Sequence, residues 1–131
     1  MKKLVLLFPL LLLFVFVSGC GTSGGADTGY RQVSGKEAME MMEQESGFLI
    51  VDVRTEQEYA EGHLRNAINI PNESIGKEKP SQLPDATQTI FVYCRSGRRS
   101  KEAAQKLADL GYTHIIEMGG IIDWPGETVT E

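Results

Sequence analysis

The sequence predicts one α/β domain with a central, mainly parallel sheet of four to five strands and helices on both faces of the sheet. Two observations carry this prediction. Apolar segments of strand length alternate along the chain with segments in which apolar residues recur at helical spacing. The apolar segments are also nearly continuous, which is typical of strands buried on both faces of a parallel sheet.

Capping residues, glycines and a proline indicate where the predicted helices and strands begin and end. Ser34 and Thr55 are each followed three residues later by a glutamate, the spacing of a capping box, so each is predicted to begin a helix. Gly62 and Gly111 are predicted to end helices, and Pro71 a strand. The predicted elements are helix 34–45, strand 48–53, helix 55–61, strand 67–70, a surface connection 72–86 with room for a helical turn, strand 89–93, a helix ending at 110, and strand 114–118.

Residues 1–19 are predicted to be a signal peptide of the lipoprotein type. Two lysines precede an apolar stretch, 4–17, that is shorter than the roughly 20 residues of a membrane-spanning helix. The stretch leads into Val17-Ser18-Gly19-Cys20, which resembles a bacterial lipobox. We therefore expect cleavage before Cys20, a diacylglycerol on its thiol and an acyl chain such as palmitate on its amine. The alternative is an ordinary signal peptide with Cys20 left free.

Lipidation would fix the protein's place in the cell. The domain is then anchored to a membrane of the cell envelope and lies outside the cytoplasm. Residues 20–32 are rich in glycine, serine and threonine and are predicted to be a flexible tether, and residues 33–131 are predicted to form the domain.

Without Lys2 and Lys3 the chain has 11 basic and 18 acidic residues, a net charge of −7, which argues against nucleic-acid binding. We expect a monomer.

Lipidation of Cys20 would also leave Cys94 without a second free cysteine in the chain. The chain has two cysteines, and Cys20 would be consumed by the lipid. This excludes a disulfide scaffold and a cysteine-rich metal site, and we expect neither a metal nor a cofactor. A lone thiol kept in an exported protein suggests a use for the thiol itself.

Cys94 is the main candidate for a catalytic residue. It follows the apolar segment 89–93 and opens the loop Cys94-Arg95-Ser96-Gly97-Arg98-Arg99-Ser100, after which a helical pattern begins. A thiol between a strand end and a helix N-terminus faces backbone N–H groups and the positive end of the helix dipole. Together with three arginines in five residues, these groups are expected to lower its pKa from about 8.5 and to attract an anionic substrate.

Five motifs together resemble a single-domain rhodanese over about residues 33–127. They are, in the family's order, Asp52-Val53-Arg54 with Glu58-Tyr59, Gly62-His63-Leu64, Ala67-Ile68-Asn69-Ile70-Pro71, Tyr93 followed by the loop to Ser100, and Gly119-Gly120-Ile121 with Trp124. The chain departs from the family at Arg65-Asn66, where a small residue or glycine is more common. That position precedes a strand and puts no chemistry in doubt.

The resemblance implies a thiosulfate sulfurtransferase in which Cys94 cycles between thiolate and persulfide. It implies that loop residues hold the persulfide and the substrate, with Arg95 or Arg99 meeting the anion; the set is Arg95, Ser96, Gly97, Arg98, Arg99 and Ser100. Sulfur transfer requires a soft, ionisable nucleophile that attacks a sulfane sulfur. Backbone N–H groups curled round the sulfur can stabilise the anionic persulfide, and Gly97 permits the positive φ that such a curl requires. The expected partners are a small anionic sulfur donor and a thiophilic acceptor, either a small molecule or a protein thiol.

Two other functions stay open. A sulfur-carrier module outside the membrane would use the same persulfide with little turnover of thiosulfate. Cysteine-dependent phosphatases and arsenate reductases use a related cradle with the spacing Cys-x5-Arg, which would place an arginine at position 100. The chain has Ser100 there, so the length of the loop favours sulfur transfer.

Residues outside the loop, and Ser100 at its end, have supporting roles. Ser100 is expected either to cap the following helix or to donate a hydrogen bond to the persulfide. Asp52 is expected either to orient the loop or to form an ion pair with an arginine. Arg54 and Glu58, four residues apart, are expected to hold the strand-to-helix turn together. His63 is expected to be structural and to form no dyad with Cys94.

Overall fold

The computed structural model of the protein describes residues 27–130. The predicted signal peptide, the predicted lipidation site Cys20 and the tether up to residue 26 lie outside the described residues. The elements are β1 (Arg31–Gln32), α1 (Gly35–Gln44), β2 (Leu49–Asp52), α2 (Glu56–Glu61), β3 (His63–Leu64), β4 (Ala67–Asn69), β5 (Ile90–Cys94), α3 (Arg98–Asp109), β6 (Ile115–Gly120) and β7 (Thr128–Val129), with 3₁₀ turns at Asn72–Ser74 and Ile121–Asp123. None of the described helices is long and apolar enough to cross a membrane.

Five strands form one parallel sheet in the order β1-β6-β5-β2-β4. β5 lies at its centre, and all its residues are buried. Val92 of β5 pairs with Val51 of β2 on one side and with Glu117 of β6 on the other. Parallel neighbours require crossover connections, and α1 lies between β1 and β2, α2 between β2 and β3, and α3 between β5 and β6. The predicted fold class, an α/β domain with a mainly parallel sheet, is confirmed.

Helices pack on both faces of this sheet, as predicted. Leu107 of α3 belongs to the buried cluster that contains Val92, and Ala38 of α1 belongs to the opposite cluster with Phe91. Successive side chains of a strand point to opposite faces, so Cys94 shares the α3 face with Val92. The central strand therefore directs Cys94 toward the helix that begins beside it.

The sequence patterns miss three strands of two residues each. β3 and β7 pair antiparallel in a second, small sheet, and β1 pairs with β6 at the edge of the main sheet. Residues 31 and 32 thus belong to the sheet and not to the predicted tether. Two residues are too few to show either an apolar run or an alternation, so such strands carry no periodic signal.

The connection between β4 and β5 is only partly a surface loop. It contains the predicted helical turn, at Asn72–Ser74. However, Ile75 and Leu83 are buried in the same cluster as α3, and the Tyr112 hydroxyl donates a hydrogen bond of 2.5 Å to the Leu83 carbonyl. The prediction of a surface connection is wrong for these residues because two isolated apolar side chains among polar ones show no helix or strand pattern.

The two predicted capping sites both begin helices. Thr55 and Glu58 form a complete capping box, in which the Glu58 N–H donates to Thr55 Oγ1 at 3.2 Å and the Thr55 N–H donates to Glu58 Oε2 at 2.9 Å. Ser34 completes only half of a box. Its hydroxyl accepts from the Glu37 N–H at 3.1 Å, whereas the Glu37 carboxylate pairs with Arg31 at 2.6 Å.

Candidate active site

The cysteine loop closes tightly between β5 and α3. β5 ends at Cys94, and α3 begins only four residues later, at Arg98. Gly97 is the N-cap residue of α3 and has a φ of 107°, in the left-handed region that favours glycine. Ser100 consequently lies inside the first turn of α3, and the alternative in which it caps the helix is wrong.

Cys94 is enclosed by hydrogen-bond donors and acceptors of its own loop. Its side chain is buried, and the Gly97 N–H donates to Cys94 Sγ at 3.0 Å. The Cys94 thiol donates to Ser100 Oγ at 3.4 Å. The first turn of a helix leaves its N–H groups without partners in the helix, so they are free to bind a sulfur anion.

The same contacts decide the acidity of the thiol. Burial by itself raises the pKa of Cys94, but hydrogen bonds to the loop outweigh burial and lower the pKa below its usual value. The groups responsible are the Ser100 side chain and the backbone N–H groups of Ser100, Gly97 and Ser96. The direction agrees with the sequence prediction, while the leading causes are hydrogen bonds and not the charges of the three arginines.

A second glycine lets the loop pack against β6. A Cβ atom at Gly120 would lie 2.0 Å from the Arg95 carbonyl oxygen and 2.6 Å from Ser96 Cα. The Ile122 N–H donates to the same Arg95 carbonyl at 3.3 Å. The Gly119-Gly120 motif therefore provides the close approach that holds the first half of the loop in place.

The three loop arginines differ in the partners of their side chains. Arg99 makes two hydrogen bonds to the Glu58 carboxylate, at 2.7 and 2.9 Å. Arg98 is exposed and pairs with Glu102, at 2.9 Å. The Arg95 side chain is exposed and lines a cavity of about 340 Å³ with residues that include Arg54 and Gly62. Arg95 is thus the loop arginine with access to a solute in this cavity.

Glu58 corrects one expectation from the sequence. It was expected to pair with Arg54, four residues earlier, but it pairs with Arg99, 41 residues later. The Arg99 hydrogen bonds lower the pKa of Glu58 to about 2, against the opposing effect of partial burial. Glu58 therefore fastens α2 to the first turn of α3.

Asp52 lies at the end of β2, the strand next to β5, and forms an ion pair. Asp52 Oδ2 accepts a hydrogen bond of 2.6 Å from Arg54 and one of 2.8 Å from the Tyr93 hydroxyl. Asp52 and Arg54 are both buried, and Arg54 also donates to the Gly62 carbonyl at 2.6 Å. Of the two expectations for Asp52, the ion pair is the one that the structure bears out.

His63 has the structural contacts that were expected of it. Its ring stacks on Tyr59 with centroids 3.7 Å apart, and Nδ1 lies 2.8 Å from the Tyr59 carbonyl oxygen. Within residues 27–130, no group of three or more histidine, cysteine, aspartate or glutamate side chains is placed to hold a metal ion.

Sequence reasoning missed one residue beside the site. Glu117 of β6 is buried, and its Oε1 accepts hydrogen bonds from the Ser100 hydroxyl at 2.6 Å and from the Gly119 N–H at 2.8 Å. A carboxylate within the apolar segment 115–118 was the signal that could have singled it out, because such charges are rarely buried without a partner.

The candidate site is a buried thiol of lowered pKa, held by backbone N–H groups at the carboxyl end of a central parallel strand, and this geometry suits cysteine-dependent group transfer. The chain belongs to the family of the rhodanese-like domain, whose model matches residues 34–127. Several relatives in this family are named sulfurtransferases, and the chain is a rhodanese-type sulfurtransferase at the level of the family.

Individual relatives are similar at modest identity. The chain is 38% identical over 73 residues to the thiosulfate sulfurtransferase PspE of Escherichia coli, covering 56% of this chain and 70% of the relative. It is 30% identical over 96 residues to the thiosulfate sulfurtransferase GlpE of Coxiella burnetii, covering 72% of this chain and 87% of the relative. A solved structure described as rhodanese with anions from E. coli superposes with a TM-score of 0.58 at 35% identity, covering 63% of this chain and 98% of that one.

Proposed function

We propose that the protein transfers sulfane sulfur from thiosulfate, or a related anionic donor, to a thiophilic acceptor through a persulfide on Cys94. The observation that carries this proposal is the set of contacts around Cys94 Sγ. The Gly97 N–H lies 3.0 Å from the sulfur, and hydrogen bonds lower the pKa of the thiol even though it is buried. Preorganised N–H donors stabilise an anion without taking part in the reaction, and a persulfide is such an anion.

The reaction balances with thiosulfate as donor and cyanide as acceptor. The Cys94 thiolate attacks the outer sulfur of thiosulfate, a new S–S bond forms, the old S–S bond breaks, and sulfite leaves with the electron pair. The product is a persulfide with one negative charge. Attack of cyanide on its outer sulfur gives thiocyanate and restores the thiolate. Neither step requires an oxidant, a metal or a general base acting on the substrate.

Arg95 is the residue that we assign to the donor anion. It follows Cys94 directly, and its side chain lines the cavity of about 340 Å³ at the loop. Arg99, the other candidate, is held by Glu58, and its charge is already compensated by a carboxylate. An exposed guanidinium on the residue that follows Cys94 can attract thiosulfate to the loop.

Mass spectrometry tests the proposal directly. The mature domain is incubated with thiosulfate and its intact mass is measured; we expect the addition of one sulfur atom, which cyanide then removes. Cys94→Ser is the matched control, since it keeps a small hydroxyl at the position and removes the soft nucleophile. No added sulfur in the wild-type chain, or an adduct that persists in the control, contradicts the proposal.

Steady-state kinetics separates the enzyme from a sulfur-carrier module. A sulfurtransferase is expected to form thiocyanate continuously from thiosulfate and cyanide. A single loading of Cys94 from thiosulfate without further turnover would instead favour a carrier that receives its sulfur from a protein or a polysulfide.

We also propose that the mature chain is lipid-anchored at Cys20, with the domain outside the cytoplasm. The support is the lipobox-like segment Val17-Ser18-Gly19-Cys20 after a basic and apolar leader. Expression of the full chain in bacteria with labelled palmitate is expected to label the wild-type protein and not Cys20→Ala. Protease added to spheroplasts is expected to digest the domain, and protection of the domain would contradict its position outside.

A further inference from the structure

The cavity beside the cysteine loop lies at the carboxyl ends of three neighbouring strands. Its lining includes Arg54, which follows β2, Arg95, which follows β5, and Ile121, which follows β6. Crevices at this edge of a parallel sheet are the usual ligand sites. The cavity volume of about 340 Å³ is at the lower end of the range for small-molecule sites, so it suits a ligand of about amino-acid size.

Two of the charged side chains that line this cavity already have partners of opposite charge. Arg54 is paired with Asp52 at 2.6 Å, and Glu58 is paired with Arg99 at 2.7 Å. Neither Asp52 nor Arg99 belongs to the lining of the cavity. The charges of Arg54 and Glu58 are therefore compensated from outside the cavity, without any ligand.

The other two charged side chains of the lining, Arg95 and Glu61, have no such partners. Both are exposed, and within residues 27–130 neither of them forms an ion pair, with the other or with a third residue. The Glu61 carboxylate accepts a hydrogen bond of 3.2 Å from the Gln57 side chain, which is neutral. The cavity thus presents one free positive charge and one free negative charge to a ligand.

A cavity with one free charge of each sign is complementary to a ligand that has both signs. Thiosulfate has negative charge alone, so the Glu61 carboxylate opposes the binding of the proposed donor. We propose that Glu61 selects the sulfur acceptor, and that this acceptor is a small zwitterionic thiol of the amino-acid type, with its ammonium group at Glu61 and its carboxylate at Arg95. The inference rests on the proposed function and names the class of acceptor that the proposed function leaves open.

The donor and the acceptor use Arg95 in turn. Once sulfite has left, the Arg95 guanidinium is free for the carboxylate of the acceptor. The acceptor thiol loses its proton to solvent, and its thiolate attacks the outer sulfur of the Cys94 persulfide. A new S–S bond forms, the S–S bond to Cys94 breaks, and Cys94 keeps the electron pair as a thiolate. The acceptor departs as a persulfide, and the step requires no oxidant or reductant.

Discharge of a preformed persulfide measures the acceptor step alone. The protein is loaded with thiosulfate, or with polysulfide if thiosulfate does not load it, and is then freed of donor. Intact mass gives the rate at which each of four thiols removes the added sulfur at one pH. Cysteine has both charged groups, cysteamine only the ammonium, 3-mercaptopropionate only the carboxylate, and 2-mercaptoethanol neither. Each rate is divided by that with 2-mercaptoethanol, and each ratio is compared between variant and wild type, which cancels the reactivity of the thiol itself.

Glu61→Gln is expected to move these ratios in opposite directions. The ratio for cysteamine falls about 2- to 5-fold, as the loss of an exposed charge pair predicts, and the ratio for cysteine falls by a smaller factor. The ratio for 3-mercaptopropionate rises, because repulsion by the carboxylate is lost. Arg95→Gln is expected to lower the ratios for cysteine and 3-mercaptopropionate and not that for cysteamine. Cysteine is therefore the one thiol that loses rate in both variants.

Glu56→Gln is the matched control, because Glu56 is an exposed carboxylate on the same helix that does not line the cavity. It is expected to leave all ratios unchanged. Unchanged ratios in Glu61→Gln would overturn the inference, as would a fall in all three, which is the result of a merely structural role. Loading by thiosulfate followed by discharge without these shifts would overturn this inference alone. Loading by polysulfide only, with the expected shifts, would leave it standing and contradict thiosulfate as the donor, and a chain that neither donor loads would contradict both proposals.

Discussion

Asp52 and Cys94 end neighbouring parallel strands, and the protein stabilises their charges in opposite ways. Asp52 is held by a full positive charge, the buried Arg54, and by the Tyr93 hydroxyl. Cys94 has neutral partners: the Gly97 N–H donates to its sulfur, and the Ser100 hydroxyl accepts from its thiol. Both residues are buried, so the difference lies in the partner and not in the exposure to solvent.

The difference matches what each position has to do. A buried ion pair is costly to break, so Asp52 stays paired with Arg54 and joins β2, β5 and the turn that follows β2. Neutral dipoles stabilise a negative charge without fixing it, so the loop can stay in place around a thiol, a thiolate and the persulfide that we propose. Two adjacent strand ends thus provide a fixed ion pair and a reactive thiol.

The largest effect is expected from Asp52→Asn. The substitution leaves the Arg54 guanidinium buried with no opposite charge, and such a loss typically costs about 3–5 kcal/mol of unfolding free energy. Urea denaturation measures it. Tyr93→Phe is the control, because it removes one hydroxyl partner of Asp52 and leaves the ion pair, at about 1–2 kcal/mol. A smaller loss in Asp52→Asn than in Tyr93→Phe would show that the ion pair is not the anchor of this strand end.

Gly120→Ala is expected to disturb the loop that follows Cys94. The new Cβ would lie 2.0 Å from the Arg95 carbonyl oxygen, so the loop has to move, whereas the backbone φ of −118° suits alanine. We expect a loss of about 1–3 kcal/mol in stability. We also expect a fall of about 100-fold in the rate of persulfide formation, because donors displaced by about 1 Å no longer meet the sulfur.

Gly76→Ala is the matched control for this loop variant. A Cβ at Gly76 meets nothing within 4 Å, and its substitution is expected to change the unfolding free energy by no more than about 0.5 kcal/mol. Wild-type activity in Gly120→Ala would show that the loop tolerates displacement and that its donors are not preorganised.

Local sequence patterns predict the elements that position the site. The continuous apolar strands, the capping residues Ser34 and Thr55 and the small-residue loop after Cys94 each depend on neighbours a few residues away. These local signals place both strand ends on the same edge of a parallel sheet. They also require glycine at position 97, where the structure has a positive φ.

The partners of the site could not be predicted in the same way. Glu58 forms its ion pair with Arg99, 41 residues away, and not with Arg54. Its carboxylate is held at the N-terminus of α2 by the capping box, and Arg54 is already paired with Asp52. Ser100 meets Glu117 across 17 residues. Such pairs depend on the register of strands and on the packing of helices, and neither can be predicted from the spacing of residues along the chain.

The smallest effect is expected from Glu58→Gln. This variant tests how much the Arg99–Glu58 ion pair contributes to the stability of the loop around Cys94. The pKa of Glu58 is about 2 in the folded protein and near 4.5 in the unfolded chain, so its contribution is complete above about pH 4.5 and is lost as the pH falls toward 2. Because the pair is partly exposed, we expect a loss of only about 1 kcal/mol at neutral pH, which disappears in acid. Glu61→Gln on the same helix is expected to show no such difference.

Glu58→Gln also releases Arg99, whose charge interacts with that of the Cys94 thiolate. If neutral donors dominate at Cys94, the pH at which alkylation of the thiol reaches half of its maximum should move by less than one unit, toward lower pH. A larger shift would show that loop arginines and not backbone dipoles set the acidity of the thiol. The contrast between the two strand ends would then be one of degree, with an arginine stabilising the charge at each.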